Sequence, residues 1–170
     1  MKQRSKFDEL CSTFAGEYNT FIEYRQQCWQ HLAFIIKGFS DYCEIPKESF
    51  QIVPPDKPDD ENNYAVPQAA QFSNTDGLWH IGFVITLAET PRHVHPRLHL
   101  MIEIALGKRD GKVVAKYGWT DLPREIDLDD ETQRRAFYDG IIERIKARLV
   151  KRPQDLIGKT SDTNPIGFKV

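Results

Sequence analysis

From Phe7 to Ile36 the apolar and aromatic positions Phe7, Leu10, Cys11, Phe14, Tyr18, Phe21, Ile22, Trp29, Leu32, Ala33 and Ile36 recur at steps of three, four and seven. This period predicts helix. Gly16 and Asn19 are weak helix formers inside the run, so the pattern fits one long helix or two pieces broken near Gly16. A second apolar set, Cys28, Phe34, Ile35 and Phe39, lies off the first stripe. A helix apolar on more than one side must be covered on more than one side. The cover is expected from the C-terminal helix or from a second subunit, and the favoured reading is a homodimer with Cys28, Phe34, Ile35 and Phe39 at its interface.

Downstream the period changes to two. Trp79 to Leu87 has large apolar side chains at odd positions, Leu98 to Leu106 at even positions, and Val113 to Trp119 at odd positions again. Three antiparallel strands follow, with Gly107 to Gly111 as a hairpin connection. Matching apolar to apolar residues sets Phe83 opposite Ile102, Ile85 opposite Leu100, Thr86 opposite His99 and Gly82 opposite Glu103. The same rule sets Leu100 opposite Trp119, Ile102 opposite Tyr117, Ile104 opposite Ala115 and Glu103 opposite Lys116.

A last helix is expected from about Asp130 to Val150, with Phe137, Ile141, Ile142, Ile145 and Leu149 inward and Asp127 or Asp129 as its cap. Pro153 stops it, and Ile166 to Val170 suits a short terminal strand. The fold class is therefore α+β: an antiparallel meander of three to five strands, with a long N-terminal helix and a C-terminal helix packed on one face. Residues 1–170 read as one domain.

Residues 44–77 break both periods. Five of the ten prolines fall there with the acidic run Asp56 to Glu61, which marks an extended loop suited to a lid or to an arm that grips a partner. Only Phe50 to Val53 looks like a strand, and Pro54 confines it to a short or edge position.

Composition narrows the function classes. The 170 residues are 40% hydrophobic, with 23 Lys and Arg against 25 Asp and Glu. A chain so balanced and so apolar is a globular domain, not a disordered one, and has no global attraction to nucleic acid or anionic membrane. Nucleic acid is an unlikely partner on this ground. No run reaches the roughly 18 apolar residues of a membrane span, the N-terminus has no apolar signal core, and Cys11, Cys28 and Cys43 are not spaced as metal or disulfide pairs. A cytoplasmic protein with reduced thiols and no cofactor is expected.

Three places could carry chemistry. His93, His95 and His99 cluster within seven residues, and His93 and His95 alternate so that they could hold a transition metal. The polar sheet face collects His80, Thr86, Arg97, His99, Glu103 and Lys116 beside Gly82 and Gly118, forming either a shallow ligand groove or a plain Glu103–Lys116 ion pair. Arg144, Arg148, Lys151 and Arg152 gather near the end of the last helix, where they suit phosphate binding or simply complement the helix dipole. Hydrolase, nucleotide-binding and metalloprotease motifs are absent. The expectation is a non-catalytic homodimer binding a protein partner or a small ligand through His80, Arg97, His99, Glu103 and Lys116. The alternative is a small hydrolase or isomerase using His99 and Glu103, with a metal at His93 and His95.

Overall fold

A computed structural model describes residues 5–88, 97–118, 121–150 and 168–169, with backbone alone at Arg97, Val150, Phe168 and Lys169. The chain runs α1 (Lys6–Tyr42), a short 3-10 turn (Lys47–Ser49), β1 (Phe50–Val53), α2 (Val66–Ala69), β2 (Gln71–Ser73), β3 (Leu78–Ala88), β4 (Arg97–Arg109), β5 (Lys112–Tyr117), β6 (Arg124–Glu125), α3 (Glu131–Val150) and β7 (Phe168–Lys169). The expected α+β class, long N-terminal helix, antiparallel sheet and C-terminal helix are all present. Among the described residues no helix is long and apolar enough to cross a membrane.

Helix α1 is continuous through Gly16. Ser5 and Asp8 cap it reciprocally, the Asp8 N–H donating to Ser5 Oγ at 3.1 Å and the Ser5 N–H to Asp8 Oδ2 at 2.9 Å. It ends in a Schellman turn in which the Ile45 N–H donates to the Ser40 carbonyl at 3.0 Å and Glu44 takes a φ of 51°, a left-handed position usually given to glycine.

The sheet has order β1-β3-β4-β5-β6, with β2 beside β1 along β3 and β7 beside β5 along β4. Its path is five strands wide, within the three to five expected, and β2 and β7 add short strands beside β1 and β5. The β3–β4 register is the expected one, with Phe83 opposite Ile102, Ile85 opposite Leu100, Thr86 opposite His99 and Gly82 opposite Glu103. The β4–β5 register is not: Ile104 faces Tyr117, Ala105 faces Lys116 and Leu106 faces Ala115. Leu100 pairs with Phe168 of β7 instead of Trp119, which lies outside the described residues. The cause is the hairpin. Strands run on to Arg109 and Lys112, leaving Asp110 and Gly111 alone in the turn with φ of 50° and 78°, the geometry an Asp-Gly pair favours.

One sheet face is apolar. Ile81, Phe83, Ile102, Ile104 and Leu106 meet Cys28, Leu32, Ile35, Ile36 and Phe39 of α1 and Tyr138 and Ile141 of α3. Tyr138 of the C-terminal helix packs on Phe39 with ring centres 5.8 Å apart, and Cys28 and Ile35 lie in the same core. Cys28, Ile35 and Phe39 are all buried within the chain, and of the four interface candidates only Phe34 is exposed, beneath the Arg134 guanidinium 5.2 Å from its ring centre. The cap of α3 is Asp130, whose Oδ1 accepts from the Thr132 N–H at 2.8 Å, in place of Asp127 or Asp129. Residues 54–65 are stitched to β1: the Ile52 N–H donates to Asn63 Oδ1 at 2.8 Å, the Tyr64 N–H to the Ile52 carbonyl at 2.9 Å and the Tyr64 hydroxyl to Asp60 at 2.6 Å.

Candidate functional site

The opposite sheet face carries the charged residues singled out above. His80, Ala105 and Lys116 lie in one row across β3, β4 and β5, and Gly82 and Glu103 form the adjacent pair. His80 and Glu103 are diagonal neighbours, within reach for long side chains, and alanine and glycine leave the space between them. Asp76 joins from the turn before β3, where its Oδ1 accepts from the Leu78 N–H at 3.1 Å. His80 Nδ1 sits 2.5 Å from Glu103 Oε1, His80 Nε2 is 3.0 Å from Asp76 Oδ2, and Lys116 Nζ is 2.8 Å from the same Asp76 oxygen. Apolar patches flank the group, Val53, Val84 and Met101 on one side and Leu78, Ala105 and Val114 on the other.

Protonation follows from geometry. Burial opposes the charge on Asp76, but hydrogen bonds from Lys116 and His80 outweigh it and hold its carboxyl well below the usual range. Asp76 is therefore an anion, and His80 Nε2 donates to it. Burial would likewise lower His80, yet Glu103 and Asp76 overcome that and raise its pKa. Burial raises Glu103 despite His80 and Lys116. One proton occupies the short Nδ1–Oε1 link whichever partner holds it. The four groups then sum to zero: an anion at Asp76, a cation at Lys116 and a neutral proton-sharing pair.

The group is closed as well as neutral. Glu103 and His80 are each 3% exposed and Lys116 7%. The anticipated cross-strand pair of Glu103 with Lys116 does not form as drawn, since Lys116 faces Ala105 and bonds Asp76. His99 does not join the cluster. It is exposed, and its Nδ1 lies 3.1 Å from Thr86 Oγ1, so the His99–Glu103 catalytic pair has two separate sets of partners. The Arg97 side chain, His93 and His95 lie outside the described residues, and among those described no group of three or more metal-ligating side chains could hold an ion. Burial pushes the Cys28 and Cys43 thiols up, which keeps them protonated and poorly nucleophilic. At the basic end of α3, Arg144 is engaged by both oxygens of Asp121 and by the Tyr117 carbonyl; Lys151 and Arg152 lie outside the described residues.

Open space lies elsewhere. A cleft of about 700 Å³ runs between the middle of α1, β5, β6 and the start of α3. Residues 125–129 alternate, with Ile126 and Leu128 buried and Glu125, Asp127 and Asp129 exposed. The alternation places carboxylates at the rim above an apolar floor that Phe34 and Val113 complete. Lys112 pairs with Glu125 at 2.7 Å. His31, also lining the cleft, has its pKa lowered by burial and by Lys108 and is neutral near pH 7. Arg134 reaches the same place, bonded to the Leu128 carbonyl and lying over the Phe34 ring, so Asp127 and Asp129 against Arg134 leave one net negative charge.

Comparison with protein-family models, curated proteins and solved structures returns no match.

Sequence reading placed His80, Glu103 and Lys116 on one face, but it missed Asp76 as their fourth member and missed the cleft. Asp76 in the turn Asn74 to Gly77, four positions before His80, was the available sign of the first. The alternating Glu125 to Asp129 was the available sign of the second.

Proposed function

We propose that the protein is a non-catalytic, homodimeric binding protein of a reducing, cytoplasmic compartment, and that its cleft takes a small amphiphilic cation with an apolar body and an amine or guanidinium head. The observation that carries the reading is the cleft itself: an apolar floor of Phe34, Val113, Ile126 and Leu128 under a rim where the two carboxylates of Asp127 and Asp129 outnumber the single Arg134 guanidinium lying over Phe34. Its volume falls within the range of small-molecule sites, roughly 300–1,000 Å³. The reading against catalysis is supported by the burial of His80, Glu103 and Lys116, because a substrate would have to reach a Glu103 that is 3% exposed. Cys11, exposed and unpaired, fits a reducing compartment.

Calorimetric titration with agmatine and with tryptamine tests the cleft. Binding of at least one amine is expected, weakened fivefold or more by Asp127→Asn with Asp129→Asn and again by Phe34→Ala. Absence of heat with both amines at millimolar concentration, or equal affinity in the variants, overturns the reading.

A further inference from the structure

The first four turns of α1 lie beyond the sheet, and every residue from Lys6 to Thr20 is exposed. Fifteen helical residues span about 22 Å, and an isolated helix of that length is marginal in water. Along it Phe7, Leu10, Phe14, Tyr18 and Phe21 form a single stripe, 41% to 72% exposed. Taking about 200 Å² for an aromatic side chain, the stripe offers roughly 500–600 Å² of apolar surface, at the upper end of the roughly 300–600 Å² that the largest patch on a monomer reaches and where such patches are often functional.

We propose that a second copy of this chain covers the stripe, the two α1 segments crossing antiparallel at Phe14. The identification of the cover as a second copy rests on two observations. The steps between stripe positions are three, four, four and three, the same read in either direction. A two-fold axis at Phe14 therefore sets Phe7 against Phe21 of the partner, Leu10 against Tyr18 and Phe14 against its own equivalent, as an isologous interface requires. The two stripes together offer up to about 1,100 Å² for burial, enough to reach the roughly 1,000 Å² expected of a specific interface. Phe21 also packs against Phe72 and Trp79, with ring centres 6.3 and 6.5 Å away, so the partner's Phe7 would extend an aromatic cluster already rooted in the fold. The antiparallel sense keeps the two sheets at opposite ends of the pair. This inference rests on the homodimer half of the proposed function and is independent of the cleft.

Sedimentation equilibrium of the full chain between about 1 and 200 µM tests it, with Phe14→Asp and Leu10→Asp as variants. The wild type is expected to be dimeric and both variants monomeric, with unchanged circular dichroism beyond the loss of a few helical turns. A monomeric wild type overturns both the interface and the homodimer. A dimer that persists in both variants overturns the interface alone. Direction is read by oxidation in a Cys11→Ser background: Phe14→Cys is expected to cross-link to itself and Phe7→Cys is not, because antiparallel packing holds those two positions about 20 Å apart. Cross-linking of both variants, or of neither, contradicts the arrangement.

Discussion

His80 Nδ1 lies 2.5 Å from Glu103 Oε1, beneath the sheet surface and on the diagonal between β3 and β4. The contact ties a strand pair together through one shared proton, while Asp76 and Lys116 complete a neutral set. Glu103 Oε2 has no hydrogen-bond partner among the described residues, which makes the short link the main compensation for burying this carboxyl. Removing one member strands the others. Glu103→Ala is expected to cost about 3 kcal/mol in urea unfolding, and a double-mutant cycle between His80 and Glu103 should give a coupling of 1 kcal/mol or more. The same cycle between His99 and Glu103 should give a value near zero.

Stability should depend on pH through this set, and the signs follow from the directions of the shifts. His80 is raised above 6.5, so its contribution is complete below about pH 6.5 and is lost as pH rises through its folded value. Glu103, raised above 4.5, shares the His80 proton and acts in the same direction. Asp76 is lowered from 3.8, so its contribution is present above about pH 4 and is lost as pH falls towards its folded value. The set is therefore strongest at about pH 4 to 4.5 and weakens as pH rises, through Glu103 and then through His80. Urea midpoints of the wild type should fall between pH 6.5 and 9, and the fall should be shallower in His80→Gln.

Much of this arrangement was legible in the residues, and the part that was not has a definite cause. The β3–β4 register followed from alternation because a one-residue slip would turn every large side chain to the wrong face. Alternation is blind to a slip of two, which preserves faces, so the β4–β5 match of Ile102 with Tyr117 looked as good as the true Ile104 with Tyr117. Only Asp110-Gly111 separates them, since a two-residue turn forces Arg109 opposite Lys112. The helical period of residues 7–21 was equally plain, but period says which side is apolar and nothing about what covers it. The cleft was hidden for a different reason: its walls come from residues near 30, 113, 126 and 133, which no local pattern joins.

Two glycines of α1 should respond in opposite directions to the same substitution. A Cβ at Gly38 would collide with the Tyr138 hydroxyl and ring, whereas one at Gly16 meets nothing within 4 Å. Gly38→Ala is expected to destabilise by about 1–3 kcal/mol. Gly16→Ala should stabilise the helix by about 0.5–1 kcal/mol, and because position 16 faces away from Phe14 it should leave the oligomeric state unchanged. Thermal melts of the two variants give the comparison.

Glu44 closes α1 in a left-handed conformation without the freedom of glycine. Glu44→Gly removes that strain and is expected to raise unfolding free energy by about 0.5–1 kcal/mol, measured as a higher urea midpoint at constant slope.

The closed ionic set inside the sheet and the open cleft proposed to take a ligand should respond differently to a single experiment. Amide chemical shifts of the isotopically labelled protein, followed during titration with agmatine and then tryptamine, should move at residues 30–34 and 125–133 and stay fixed at 76–82 and 99–105. Movement centred on His80 and Glu103, or no movement anywhere at millimolar amine, would contradict this expectation.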